Sequence, residues 1–301
     1  MRLLLLCSVL LAATPAGAAE PSLPAVDPAP ETTDVASFDH PLNVRLDIDL
    51  PIFFAASLPM AFFAAGAINP DPAGYLPSRA GLNPLDLAAL DTLRPDVAQA
   101  SDIAWVTMMT LPLIDHLIES AVESRARGKH FGRRFGSDVL VYGEAMAINA
   151  LFTELIKFTA QRPRPLAYLD PADVLDGDLR ADLERRQGLP DSSKSFLSGH
   201  TSASFTAAAV WSMLYTLKHP DRPAGLALLW GASFAGASSV AVLRVVAAKH
   251  HPTDVIAGAI LGTAIGILTP LAHRRARKAP VAVVPMLGQD LKGAMVVGLL
   301  P

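Results

Sequence analysis

Long apolar blocks separated by short polar connections dominate the chain from about residue 50 onward. Ile52–Ile68 is apolar throughout. Asp47 and Asp49 precede it as helix-start residues, Pro59 is placed to bend it, and Asn69, Pro70, Asp71, Pro72 and Gly74 end it as a turn. Turn signals recur at Asn83-Pro84 and Arg94-Pro95, with a short helix over 85–93 between them. Five further apolar helices are predicted near 102–122, 137–158, 199–218, 223–246 and 253–272. Asp115, His116, Glu144 and Glu154 interrupt the first two, whereas Pro223–Leu243 carries no charge and is long enough to span a bilayer. No tandem repeat is visible. The pattern predicts an all-α protein, a bundle of five to six apolar helices behind an irregular N-terminal region.

The two ends differ from this core. Residues 1–19 read as a secretory signal: Arg2 is the positive region, Leu3–Ala13 the apolar core, and Ala16-Gly17-Ala18 the small-residue cleavage site. Residues 20–43 are rich in proline, aspartate and small residues and read as a flexible leader. After residue 276, two β-prone runs flank Gly288–Gly293 and predict a C-terminal β-hairpin. The expected divisions are 1–19, 20–100, a catalytic helical domain over 101–275, and a basic linker with its hairpin over 276–301.

Composition narrows the class. The 301 residues are 51% hydrophobic, with net charge −3 and mean hydropathy +0.35. That is apolar for a soluble domain and modest for a polytopic membrane protein. A near-neutral balance argues against a nucleic-acid partner. The single cysteine, Cys7, falls in the signal, so no disulfide is expected in the mature chain.

Charge also orients the helices. Arg125, Arg127, Lys129, Arg133 and Arg134, then Lys218 and Arg222, then Arg274–Lys278 occupy connections that fall on one side of the bundle. The positive-inside rule places that side in the cytoplasm and the opposite connections outside it. With a cleaved signal, five spans satisfy this orientation, provided Ile52–Ile68 packs against the bundle or lies in the interface. The competing arrangements are an uncleaved signal with a different helix count, and a bundle wholly soluble in the periplasm.

The opposite connections carry the chemistry. The first block runs from Lys157 to Arg164-Pro165, the second is Ser198-Gly199-His200, and the third joins Arg244, His250 and Asp254. Four-residue spacing puts His250 and Asp254 on one face of a helical turn, so a carboxylate can hold one ring nitrogen and leave the other to attack. Arg164 and Arg244 offer planar forks suited to phosphate oxygens. Ser198 and Gly199 open a helix whose N–H groups face an anion.

These three blocks, in this order, resemble the signature of the type 2 phosphatidic acid phosphatase superfamily, which includes bacterial non-specific acid phosphatases and vanadium haloperoxidases. Leu197 stands where that pattern has proline, and Leu243 where it has serine. The resemblance implies His250 as nucleophile, His200 as general acid and then base, and Asp254 as the residue that orients His250. It also implies that Lys157, Arg164, Ser198, Gly199 and Arg244 surround the transferring phosphoryl group. No metal or cofactor is implied, because cationic side chains take that place.

The expected activity is hydrolysis of a phosphate ester. Lipid phosphates such as phosphatidic acid, phosphatidylglycerol phosphate or polyprenyl pyrophosphate are the expected substrates, and the inner membrane, with the site facing the periplasm, the expected location. Other readings are a soluble periplasmic acid phosphatase, a vanadate-dependent haloperoxidase, and a non-catalytic envelope protein of the same fold. A metal hydrolase built on His200, His250, His251 and Asp254 has suitable ligand types. It leaves the spacing of Lys157, Arg164 and Arg244 unexplained.

Overall fold

Helix boundaries are set by local chemistry in the computed structural model, which describes residues 40–64, 76–90, 94–127 and 130–274, and the backbone of 281–287 and 292–298. Among these, α1 covers Leu46–Ala64, and the Asp49 carboxylate reaches back to the Arg45 N–H at 2.7 Å. Asn83 caps the short α2, Pro84–Leu87. Next come α3, Pro95–Arg127, and α4, Phe131–Ala160. Gln161, at φ 42°, turns the chain out of α4, and Pro163 and Pro165 prevent its continuation. The polar helix α5, Gly177–Gln187, is capped by Asp176. Three apolar helices complete the bundle: α6, Gly199–Lys218; α7, Pro223–Val246; and α8, Pro252–Ala272.

Helix α6 is the axis, packing on α3, α4, α7 and α8. Most of its side chains from Thr201 to Leu214 are buried. Its contact with α8 is backbone-close because Gly258, Gly262 and Gly266 recur at one-turn spacing along the facing stripe. A Cβ at Gly262 would stand 2.1 Å from the Ser202 carbonyl oxygen, and one at Gly266 2.6 Å from the Ala209 Cβ. Aliphatic cores flank this seam: Val141, Tyr142, Ala145, Leu214 and Ile265 on one side, Met108, Phe205, Ala237 and Val240 on the other.

Outward-facing residues are apolar as well, among them Ile103, Val106, Leu228, Val242, Ile260 and Leu268. Among the described residues, four stretches are long and apolar enough to cross a membrane: Val97–Ala126, Phe131–Asp173, Pro223–Val246 and Pro252–Ala272. Two of the charges that interrupt the first two find hydrogen-bond partners. Asp115 accepts from the Trp211 indole at 2.7 Å, and Glu154 accepts from Lys157 at 2.6 Å. Antiparallel packing gathers the end of α4 and the starts of α6 and α8 at one pole, with the end of α7 and the start of α3. The other pole holds the start of α4 and the ends of α6 and α8.

Several expectations change. The leader was expected to be flexible through Asn43, but His40–Asn43 is anchored. Leu42 is buried in the aliphatic core, and the Asn43 N–H donates to the His273 carbonyl at 2.7 Å. Helix α1 starts at Leu46 rather than Ile52, and α3 runs well past both predicted ends. Helix α5 was not expected, because it has no apolar stripe. The predicted signal, the rest of the leader, the 69–74 turn and the basic segment 275–278 lie outside the described residues. Near the C-terminus, Val281–Leu287 (β1) pairs antiparallel with Lys292–Gly298 (β2), Val281 opposite Gly298, as the predicted hairpin.

Candidate active site

Each of the three sequence blocks sits at a helix end, and all meet at one pole. Lys157 lies in the last turn of α4. After Gln161 the chain is extended, and Arg164 is buried with its guanidinium held on several sides. Nε donates to the Asp191 carbonyl at 2.8 Å and NH2 to the Asp191 carboxylate at 2.8 Å. NH1 donates to the Lys249 carbonyl at 2.9 Å and lies 3.3 Å from His250 Nε2. One edge of a fixed cation therefore faces the imidazole.

Ser198 caps α6. Its Oγ accepts from the Thr201 N–H at 3.4 Å and the Thr201 hydroxyl at 3.0 Å, and it keeps its own proton to donate. Gly199 leaves room for Lys157: a Cβ there would stand 3.1 Å from Lys157 Nζ and make the side chain shift. Its absence lets the ammonium lie against the positive end of α6, where an anion gains from both. The His200 ring lies against Trp105, with centroids 4.6 Å apart, and its Nε2 is 3.4 Å from Asp102 Oδ1. Arg244, buried at the end of α7, donates to the same Asp102 oxygen at 2.7 Å.

His250 is fully buried in the turn between α7 and α8. Its Nδ1 lies 2.8 Å from the Ser195 carbonyl. A carbonyl only accepts, so Nδ1 carries the proton and Nε2 presents a lone pair toward Arg164. Burial drives the pKa of His250 well below the ordinary imidazole value, and the charges of Arg164, Arg244 and Lys157 act in the same direction. The same cations act on His200, which places both rings in one electrostatic site. Burial, followed by Arg186, Arg164 and Arg244, lowers the Lys249 ammonium to about 8.

The expected hydrogen bond between Asp254 and His250 is not formed. Pro252 starts α8, so His250 precedes the helix, and its Nδ1 is 3.9 Å from Asp254 Oδ2. Asp254 instead ties the blocks together. It accepts from the Ser195 hydroxyl, from the His251 N–H at 2.8 Å and from Arg162, and its own carbonyl accepts from the Ser198 N–H at 3.1 Å. Arg162 also pairs with Asp86 at 2.6 Å. The His251 ring lies 3.2 Å from the Pro163 carbonyl and likewise holds the turn.

The structure thus gathers Lys157, Arg164, Ser198, Gly199, His200, Arg244, His250 and Asp254. Sequence reasoning missed Ser195, Asp86, Asp102 and Trp105. Asp86 follows an Asn-Pro helix start, the one local signal among them.

A crystal structure described as the first transmembrane PAP2 type phosphatidylglycerolphosphate phosphatase, from Bacillus subtilis, is similar over 76% of this chain and 95% of that one, at 18% identity and a TM-score of 0.40. Residues 138–278 match the family model described as PAP2 superfamily, and this stretch contains every gathered residue named above.

Proposed function

We propose that the protein is a metal-independent phosphohydrolase that acts on lipid phosphates through a phosphohistidine intermediate. The observation that carries this reading is a buried neutral imidazole whose Nε2 lone pair faces a fixed guanidinium, in the shared field of Lys157, Arg164 and Arg244.

In the first step His250 Nε2 attacks phosphorus, the P–O ester bond breaks, and His200 gives a proton to the departing oxygen. The bound dianion favours the protonated acid against the cations that surround His200, and Asp102 lies 3.4 Å from the ring. Positive charge that builds on His250 is met by the Ser195 carbonyl and, at 3.9 Å, by Asp254. His200 then takes a proton from water, water attacks phosphorus, the P–N bond breaks, and phosphate leaves with His250 neutral again. The three cations, Ser198 Oγ–H and the Gly199 N–H offset charge on the equatorial oxygens. Positioning and electrostatics are the main catalytic demands of phosphoryl transfer.

Lipid substrates are favoured by the four apolar stretches and the outward-facing aliphatic side chains. The catalytic pole lies opposite the basic connections, so the positive-inside rule supports an inner-membrane protein whose site faces the periplasm. The test is hydrolysis by the purified chain of a panel of lipid and soluble phosphates, with and without chelator. Release of phosphate from lipid esters, unaffected by chelator and leaving an acid-labile phosphoprotein on rapid quench, is expected. Activity on soluble esters alone, or activity abolished by chelator at a temperature where the chelated protein stays folded, overturns the reading.

A further inference from the structure

At the pole opposite the catalytic residues, Asp49 of α1, Glu144 of α4 and His273 at the end of α8 converge, all buried. We propose that this trio binds a divalent transition-metal ion of the zinc class, which clips α1 to the bundle.

The imidazole is arranged as a ligand. His273 Nδ1 lies 2.9 Å from the Thr269 carbonyl and must carry a proton, so Nε2 is the ring atom left to face a ligand. Nε2 lies 3.3 Å from Asp49 Oδ1 and 3.1 Å from Glu144 Oε2. Three atoms of metal-ligating type therefore converge. Tetrahedral bonds of about 2.0–2.1 Å from zinc to nitrogen and oxygen require ligand atoms roughly 3.3–3.4 Å apart. Both observed separations are close to that, and all three atoms lie within 4.8 Å of one another. Water completes the fourth position.

Two further observations point to a missing cation. Glu144 is 4% exposed, and its Oε2 accepts no hydrogen bond. A buried acceptor left in this way is costly. Among the described residues, no lysine or arginine side chain pairs with Asp49 or Glu144; the Arg45 guanidinium turns to Asp47 at 2.9 Å. The neighbouring cluster at this pole is the contrast. There Lys218 donates to both Glu119 and Asp138 and supplies the positive charge itself. Two carboxylates meet in an interior flanked by apolar helices, and a divalent ion matches their combined charge.

Outer partners hold the ligands in place, as in known metal sites. The Thr269 carbonyl fixes the ring of His273, and the Arg45 N–H holds Asp49 Oδ2 at 2.7 Å. The three ligands come from three separate elements, so the ion joins α1 and the end of α8 to α4.

The experiment uses the full chain, purified in detergent without a polyhistidine tag, stripped with chelator and titrated with Zn²⁺ in a calorimeter. One equivalent is expected to bind. Glu144→Gln and His273→Gln should each weaken binding more than about 100-fold, beyond the 10- to 100-fold that loss of an outer partner costs. Absence of binding, or unchanged affinity in these variants, overturns the proposal. Unfolded variants would leave the wild-type melting temperature as the readout. It must fall on chelation and recover with Zn²⁺, and a melting temperature indifferent to both overturns the proposal equally.

Discussion

The backbone carbonyl of Ser195 lies 2.8 Å from Nδ1 of His250, while the hydroxyl of the same residue donates to Asp254. One residue therefore sets both the tautomer of the proposed nucleophile and the place of the carboxylate behind it. Only the carbonyl touches the ring, and a carbonyl survives side-chain replacement. Ser195→Ala should keep the His250 tautomer, lose one hydrogen bond to a charged group, and lower kcat by about 10- to 100-fold, the equivalent of about 1.5–3 kcal/mol. His250→Ala should abolish turnover while the circular dichroism spectrum stays helical. Steady-state kinetics of the two variants side by side checks both statements. Near-normal activity in His250→Ala would remove it as nucleophile.

Arg164 makes a different kind of demand. Its fork engages Asp191 through two nitrogens and the Lys249 carbonyl through a third, which an ammonium cannot reproduce. Arg164→Lys is therefore expected to resemble Arg164→Ala, each losing about 100- to 1,000-fold in kcat, the scale of deleting an oxyanion-hole donor. Among the described residues the Arg244 guanidinium hydrogen-bonds Asp102 and Ser101, both through NH1, so Arg244→Lys should retain more activity than Arg244→Ala. Measured kcat values for the four variants give the comparison, and full rescue by Arg164→Lys contradicts it.

The pH profile follows from two directions of shift. His250 is held well below the ordinary imidazole range by burial and the neighbouring cations, so it stays neutral as pH falls. The acid limb of kcat/KM assigned to this ring should lie below 6.5. Lys249, lowered to about 8, loses its charge as pH rises through that value, and phosphate binding should weaken there. Lys249→Arg keeps the charge and should remove this alkaline limb. Stability runs the other way. A lysine whose folded pKa lies under its unfolded value of 10.5 destabilises the fold while it is protonated, so its contribution improves as pH climbs from about 8 toward 10.5. Initial rates and thermal melts across pH separate the two effects.

Much of this architecture was legible in the sequence because it depends on composition and spacing. Apolar blocks announce helices, and Lys157, Arg164, His200, Arg244 and His250 stand at helix ends where the chain turns. What stayed hidden acts at long range or through backbone. Asp102 is 142 residues from Arg244 and Asp86 is 76 from Arg162, so no local pattern links them. Ser195 orients His250 with a carbonyl that every residue possesses. Asp115 and Glu119 look like breaks in a helix, because their partners, Trp211 and Lys218, lie on α6.

Arg162 shows how the site depends on pairs that do no chemistry. Its guanidinium bridges Asp86 and Asp254, both fully buried, and so links α2 to the start of α8. Arg162→Ala strands two buried carboxylates. Removing one partner of a buried ion pair costs about 3–5 kcal/mol, so the variant should melt well below the wild type. Double replacement by Arg162→Ala with Asp86→Asn should recover part of that loss, since one stranded charge is gone. Thermal melts of the single and double variants decide the matter, and equal melting temperatures would show that the two residues are not coupled.

The glycine stripe of α8 allows a last test, of the packing that holds the two histidine-bearing elements together. A Cβ on Gly262 would sit 2.1 Å from the Ser202 carbonyl oxygen and 3.0 Å from the Thr206 nitrogen. Both are backbone atoms of α6, which cannot yield as a flexible side chain would. Gly262→Ala must push α8 away from α6. Overpacking of this kind costs about 1–3 kcal/mol, offset by less than about 1 kcal/mol of helix propensity that alanine gains. Gly132 in α4 has nothing within 4 Å of an added Cβ, so Gly132→Ala should be neutral or stabilising. Because Ser198 and His200 open α6 and His250 precedes α8, a widened seam also separates the catalytic groups. Gly262→Ala should therefore lose kcat as well as stability, whereas Gly132→Ala should lose neither, and a variant that melts early but turns over at the wild-type rate would show that the seam does not set the site's geometry.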